Sequence, residues 1–548
     1  VSLFIALIVT IVWWVLALIG YFSVLGPARG GQYSEAVVGQ PHFINPLLAP
    51  GSSAVSDRLL TKLLFSGLYA YDNNGELQSD IAKDFERSDD GKQYTISLRE
   101  DVFWHDGEQL TADDVVFTIN IAKDVNYDTV VNALRVAWRD VTVEKKDEFT
   151  VVFTLDKNRG DFLHLLTLGI LPQHIWKDIS PVQFQLAEFN IKPIGVGPYV
   201  YVKHDFGADG LIDSYSLSAH KEYHHGEPLI SKVVMQVFPD RVLAAEAYQN
   251  GLVSGVTADS RDLIETLIDS NQSKAVLERP SYFGIFFNQT KSVPLAFDEV
   301  REALLFATDR QAIIDEVFGA SAFAVASPLF LGMESYVKES EQPEYNLDQA
   351  KKELEDKGWK LGADGIRVRE QDSTRLAFGI SVNADQIQLV QAAELVAAQW
   401  ALLGAEVSID SREKDDLDSN VITTRTYDSL LTFHPMRWDQ PNLQALWHSR
   451  EKNHPGLNYA GMQDGPLDSV LDELQTESDS DRRTTLYEQV QSRIKVEDPA
   501  VFLFATSFLF AYKDDIKGVE LRRVNAPQDR FSAVHKWYIK EKRQWGSE

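Results

Sequence analysis

Apolar and polar residues alternate from Tyr94 onward. Tyr94, Ile96 and Leu98 are apolar, and Thr95, Ser97 and Arg99 are polar. A period of two marks a half-buried strand. The DDGK tetrapeptide, Asp89 to Lys92, reads as a turn pairing this strand with a preceding one, and Asp106-Gly107 within HDGE reads as another turn. The period then changes. Thr111 precedes Ala112-Asp113-Asp114, and Val115, Ile119 and Ala122 follow at helical spacing. Thr111 is placed to cap the helix, its hydroxyl accepting the Asp114 N–H, and both aspartates fall where the helix dipole favours negative charge. The two periods recur downstream. Glu148 to Leu155 and Ile230 to Phe238 read as strands. Asp298 reads as the N-cap of one helix running to Phe318, with Val300, Leu304 and Ala307 on one face and Gly319 as its stop. Asp348 to Gly358 predicts another helix with mixed charges on its wet face. Alternating strands and helices predict α/β lobes.

The first segment departs from this pattern. Val1 to Gly26 (VSLFIALIVTIVWWVLALIGYFSVLG) carries no charged residue. That length suits a transmembrane helix and exceeds the roughly 7–15 apolar residues of a cleaved signal. The expectation is one retained N-terminal anchor, residues 1–26, in the cell membrane with the remaining chain outside the cytoplasm.

At 548 residues the chain is too long for one ordinary core. Its 53 Lys and Arg against 81 Asp and Glu give a net charge of −28, which repels nucleic-acid backbones and argues against such a partner. The absence of cysteine excludes disulfides, thiolate metal sites and Cys nucleophiles.

Candidate chemistry is sparse. His105 and Asp106 stand side by side, but neighbours on a strand point to opposite faces, so the stretch around them reads as scaffolding. His220, His224 and His225 cluster in AHKEYHHGEP, where imidazoles suit a transition metal. No carboxylate stands at a fixed helical spacing from them. A polar loop anchored by Tyr223 and Pro228 accounts for the cluster, so no metal and no cofactor is expected. Neither H-E-x-x-H nor G-x-S-x-G occurs, and the Gly195 to Pro198 turn leads into a strand rather than a phosphate-binding helix. No catalytic residue is assigned, and a non-enzyme is expected.

Several stretches, in order, resemble one family. LREDVFWHDGEQLTADDVVFTI (Leu98 to Ile119) is similar to a signature of the extracytoplasmic solute-binding proteins of the oligopeptide, dipeptide and nickel class, bacterial solute-binding protein family 5, which serve ABC importers. FINPLLAP at Phe43, ILPQHIW at Ile170, PIGVGPYVYV at Pro193, YFGIFFNQT at Tyr282 and YNLDQAKKELEDKGWK at Tyr345 continue the likeness. The resemblance implies a two-lobe periplasmic-binding-protein-like α/β fold with an extra subdomain in the first lobe. Lobe one is expected at 32–270 and 505–548, interrupted by a subdomain at 66–184, and lobe two at 271–504. Hinges are expected at Arg279 to Tyr282 and near Phe504.

The resemblance also implies a function: a monomeric, membrane-anchored receptor capturing a peptide or peptide-like solute for an ABC permease. A surface sensor or chaperone-like binding protein of the same fold is the alternative. Cleft residues expected from the family pattern are Phe43 and Asn45 in lobe one and Tyr282 and Asn288 on the first strand of lobe two. The stretch Tyr427 to Trp447 adds His434, Arg437, Trp438 and Asp439. In peptide-binding members an aspartate about four residues before the proline pairs with the peptide's α-amino group. Here Arg437 holds that position before Pro441, and Asp439 is two residues before the proline. A guanidinium there favours a carboxylate or another acceptor-rich ligand.

Overall fold

The alternation at Tyr94 does form a strand, Gln93–Leu98, with Tyr94, Ile96 and Leu98 buried. The structure is a computed structural model and describes Trp14 and residues 23–545, leaving aside Ser53, Asp128, Thr129, Val131, 269–272, 331–332, 334–335, 439–440 and 478. Gln93–Leu98 pairs antiparallel with Ala82–Arg87 across a turn in which Gly91 has φ 68°, a conformation glycine adopts freely. Thr150–Leu155 and Val141–Asp147 complete a four-stranded antiparallel sheet. Helix Ala112–Lys123 packs on it and buries Val115, Ile119 and Ala122.

The hydrogen bonds at the start of that helix centre on Asp114. Its carboxylate accepts the Thr111 N–H at 2.9 Å and the Gln173 N–H at 2.8 Å, so one buried acid both caps the helix and ties it to the Ile170 to Trp176 stretch.

A twelve-stranded sheet runs through the rest of the molecule. At one end Gln32–Val38 lies parallel to Lys232–Phe238, which continues antiparallel into Ile212–Ala219 and Tyr199–Phe206. At the other end Ser281–Phe287 pairs antiparallel with Ser429–Pro435, and Ala377–Asn383 runs parallel to Glu406–Arg412. One 13-residue strand, Ala500–Tyr512, joins the two ends. Up to Phe504 it pairs with Ser281–Phe287, and from Ser507 it pairs with Ser273–Glu278. The other passage between the ends is Arg279-Pro280. Separate cores lie on either side: one holds Tyr33, Trp104, Tyr215 and Trp537, the other Ile285, Leu304, Trp400 and Leu431. A third core packs helices Gly465–Thr476 and Ser480–Glu497 against Tyr282, Trp447 and Phe502.

Two expectations need correction. The helix expected from Asp298 to Phe318 is broken. It runs Asp298–Phe306, stops over Ala307-Thr308-Asp309, and resumes at Arg310. Thr308 Oγ1 donates to the Leu304 carbonyl at 2.7 Å, and the Asp309 carboxylate accepts the Ala312 N–H at 3.0 Å, so this pair ends one helix and caps the next. Asp298 lies in the first turn rather than at the cap, and pairs with the buried Arg301 at 2.7 Å. The second correction concerns the N-terminal segment. Its last residues are not helical: Ser23–Ala28 is a strand pairing antiparallel with Lys540–Trp545. Residues 1–13 and 15–22 of the expected membrane helix lie outside the described residues. Among the described residues no helix is long and apolar enough to cross a membrane.

Candidate functional site

The main cavity, about 540 Å³, is lined by helix Val55–Leu64 and the chain that follows it to Tyr71, by the stretch 164–169, by the C-terminal segment and by the loop after Ser429–Pro435. Its walls include Arg58, Lys62, Tyr69, Asp80, His164, Arg437 and Asp529. A second chamber of about 360 Å³ shares Leu165, Met436 and Arg437 with the first and extends to Asp161, Arg483 and Tyr487. Both volumes fall within the roughly 300–1,000 Å³ of small-ligand sites. Arg437 stands at their junction.

Arg437 is half-buried and makes no hydrogen bond or ion pair with another described residue. Its charge is felt locally. The His164 imidazole is pushed down to about 4, first by burial and then by the Arg437 guanidinium, so it is neutral at ordinary pH. Tyr71 Oη and His164 Nδ1 are hydrogen-bonded at 2.9 Å. Asp529 is raised by burial, with Lys62 and Arg437 opposing, and its carboxylate accepts the Ala526 N–H at 2.9 Å.

The other residues expected at the cleft have different surroundings. Asn45 is fully buried, donating to Asn190 Oδ1 at 3.1 Å and accepting the Leu47 N–H at 2.9 Å. Asn288 donates to the Arg425 and Tyr427 carbonyls at 3.2 and 3.0 Å. Phe43 packs on the first core, and its N–H donates to Asp57 at 3.0 Å. Tyr282 and His434 face each other on paired strands, ring centroids 5.0 Å apart and both fully buried. The strand carrying Tyr282 is buried along its whole length, so position on a strand did not separate cleft-facing from core-facing side chains. Burial pushes the His434 imidazole down to about 3, and neither ring nitrogen has a hydrogen-bond partner among the described residues.

Trp438 bridges the two halves of the molecule. Its N–H donates to Asn525 Oδ1 at 3.0 Å, its indole donates to the Val524 carbonyl at 3.2 Å, and the Arg523 guanidinium sits 4.6 Å from its ring. Asp439 lies outside the described residues. Of the expected cleft residues that are described, only Arg437 lines the main cavity.

Two features were missed from the sequence. His105 closes a turn: Gly195 N–H donates to its Nδ1 at 3.1 Å, and its Nε2 lies 3.2 Å from the Gly197 carbonyl. The histidine pair His224-His225 does meet a carboxylate, Asp80, at 2.6 and 2.9 Å. That acid lies 144 residues earlier in the chain, so no local spacing reveals it. His220 turns away to the Gly197 carbonyl at 3.1 Å.

The family model described as "Bacterial extracellular solute-binding proteins, family 5 Middle" matches residues 76–454. The chain belongs to that family. The oligopeptide-binding protein AppA of Bacillus subtilis is 26% identical over 526 residues, 94% of this chain and 92% of that protein. The structure of that AppA with a nonapeptide matches at a TM-score of 0.69 and 25% identity, covering 94% of this chain and all of the other. The nickel-binding periplasmic protein of Escherichia coli is 27% identical over 488 residues, 86% of this chain and 88% of its own length. At 23% identity, a substrate-binding protein of Listeria monocytogenes shares the fold at a TM-score of 0.76, covering 93% of this chain and all of its own. The mixed α/β fold is therefore that of the two-lobe binding proteins, and a family of extracellular binding proteins captures its ligands outside the cell.

Proposed function

We propose that this family 5 protein captures a peptide or peptide-like solute between two lobes and hands it to an ABC permease. The lobes comprise 32–270 with 505–548, and 271–504, with 66–184 inserted in the first. Closure turns on Arg279-Pro280 and on the stretch from Phe504 to Ser507, where the shared strand changes partners. Trp438 then acts as a latch holding the loop of lobe two on the C-terminal segment. The receptor works as a monomer. The peptide-binding relative with similar coverage supports this choice of solute.

The observation that carries the reading is Arg437 at the junction of the two chambers, with no hydrogen bond or ion pair to another described residue. A half-buried guanidinium offers planar paired donors that match a carboxylate. The solute therefore presents its C-terminal carboxylate or an acidic side chain to Arg437. Titrating a peptide library by calorimetry tests this. Arg437→Ala is expected to weaken the best acidic or carboxylate-ended binder by on the order of 1.5–3 kcal/mol and to leave little changed the counterpart in which the anchoring carboxylate, terminal or side-chain, is replaced by an amide. Unchanged affinity for the carboxylate form would sink the assignment.

The apolar N-terminal segment serves as the anchor and ends before the Ser23–Ala28 strand. The full chain should stay with the membrane fraction through high-salt and carbonate washes. Its appearance in the supernatant with a new N-terminus before Ser23 would show a cleaved leader instead.

A further inference from the structure

We propose that Asp80, His224 and His225 form a binding site for a divalent first-row transition-metal ion of the zinc, nickel or cobalt class on the wall of the main cavity. Two histidines from one turn direct the same ring atom, Nε2, at a single carboxylate oxygen, Asp80 Oδ1, at 2.6 and 2.9 Å. All three candidate ligand atoms lie within 4.8 Å of one another. On a strand, neighbouring side chains diverge, but His224 and His225 sit in a turn closed by Gly226, whose φ is 95°. Their rings therefore lie together, centroids 4.5 Å apart.

Two imidazoles and one carboxylate suit zinc and its neighbours rather than magnesium or calcium, which prefer all-oxygen shells. The geometry is near what an ion needs. Metal–ligand bonds of about 2.0–2.2 Å place tetrahedral donors about 3.3 Å apart, so each N···O pair opens by about half an ångström. The ion takes the place of the hydrogens now pointing at Asp80. A neutral ring moves its hydrogen to Nδ1, and an imidazolium releases a proton.

Burial is graded in a way that suits entry. The side chains of Asp80 and His224 are 7% and 1% exposed, whereas that of His225 is 32% exposed. The nearby cation, Arg99, is held by Asp101 through two bonds of 2.9 Å and donates to the His224 carbonyl at 3.2 Å, fixing the backbone of the turn. His535 stacks on His225 at 6.0 Å, and its buried Nδ1 has no hydrogen-bond partner among the described residues. Asp80 and Tyr223 line the cavity, so the site opens on the chamber assigned to the solute.

Dialysed full-length protein titrated with Zn(II) alone by calorimetry, and with Co(II) alone by visible absorption, tests the site. Equimolar binding is expected, with a Co(II) spectrum showing nitrogen ligation. Asp80→Asn and His225→Ala should each weaken binding by about 100-fold or more, beyond the loss typical of changes to groups around a metal's ligands. His225 is partly exposed, so its variant should fold, which circular dichroism checks. Absence of binding at submillimolar metal would overturn the proposal, as would binding that neither substitution changes. Failure of every peptide in the library would leave the metal titration untouched, so the two readings fail separately.

Discussion

Replacing Arg530 by alanine is expected to lower the unfolding free energy by about 3–5 kcal/mol. Arg530 is 1% exposed and Glu35 is fully buried, and the two form an ion pair across 495 residues of sequence. Glu35 sits on Gln32–Val38 in the middle of the large sheet, and the Tyr33 hydroxyl donates to it. Arg530 also donates to the Pro527 carbonyl at 2.6 Å and lies 4.4 Å from the Phe531 ring. Losing the guanidinium leaves a buried carboxylate with one hydroxyl for company and releases the C-terminal segment that lines the cavity. Urea unfolding followed by tryptophan fluorescence measures the loss. Replacing both partners, Glu35→Gln with Arg530→Met, should recover most of it, because no charge is then buried alone. A loss below about 1 kcal/mol for Arg530→Ala would mean that the pair does not hold the returning segment.

Acid should weaken the fold through His434. Burial holds its imidazole at about 3, while in the unfolded chain it titrates near about 6.5. Between those values the unfolded chain takes a proton that the folded one refuses. The unfolded state therefore binds more protons, and stability rises with pH throughout that window. Above about 6.5 the two states agree and the effect vanishes. Going down to about pH 5, this one group costs about 2 kcal/mol, at about 1.4 kcal/mol per pH unit. His434→Leu, which keeps an apolar side chain against Tyr282 and Phe286, should flatten the curve by that amount. If wild type and variant lose stability in parallel from pH 7 to pH 5, the ring is not excluded from protonation.

Local elements were readable because their causes are local. The alternation at Tyr94, the turn at Gly91 and the stripe of Val115, Ile119 and Ala122 each need only a few neighbouring residues, and all form as expected. The break at Thr308-Asp309 was missed because the apolar stripe runs through it, although both residue types compete for backbone hydrogen bonds. Contacts of long sequence separation were not readable. Asp80 meeting His224, Glu35 meeting Arg530 and Trp438 meeting Asn525 are products of the assembled lobes. The cleft residues divide the same way. Asn45 and Asn288 have polar side chains suited to a ligand, and the fold uses their hydrogen bonds for turns. Arg437 was marked by its departure from an acidic family position, and among the expected residues that are described it is the one that lines the cavity.

Capture between two lobes is tested most directly by X-ray scattering from the full chain, with and without a saturating carboxylate-ended peptide, beside a melting curve of each sample. A ligand bound in the cavity near Arg437 should bring the lobes together and reduce the radius of gyration. At about 100 times Kd it should also stabilise the fold by about 2.7 kcal/mol, visible as a rise in Tm. A peptide that raises Tm while the scattering curve stays unchanged would contradict closure. A library in which no peptide changes either quantity would contradict peptide capture itself.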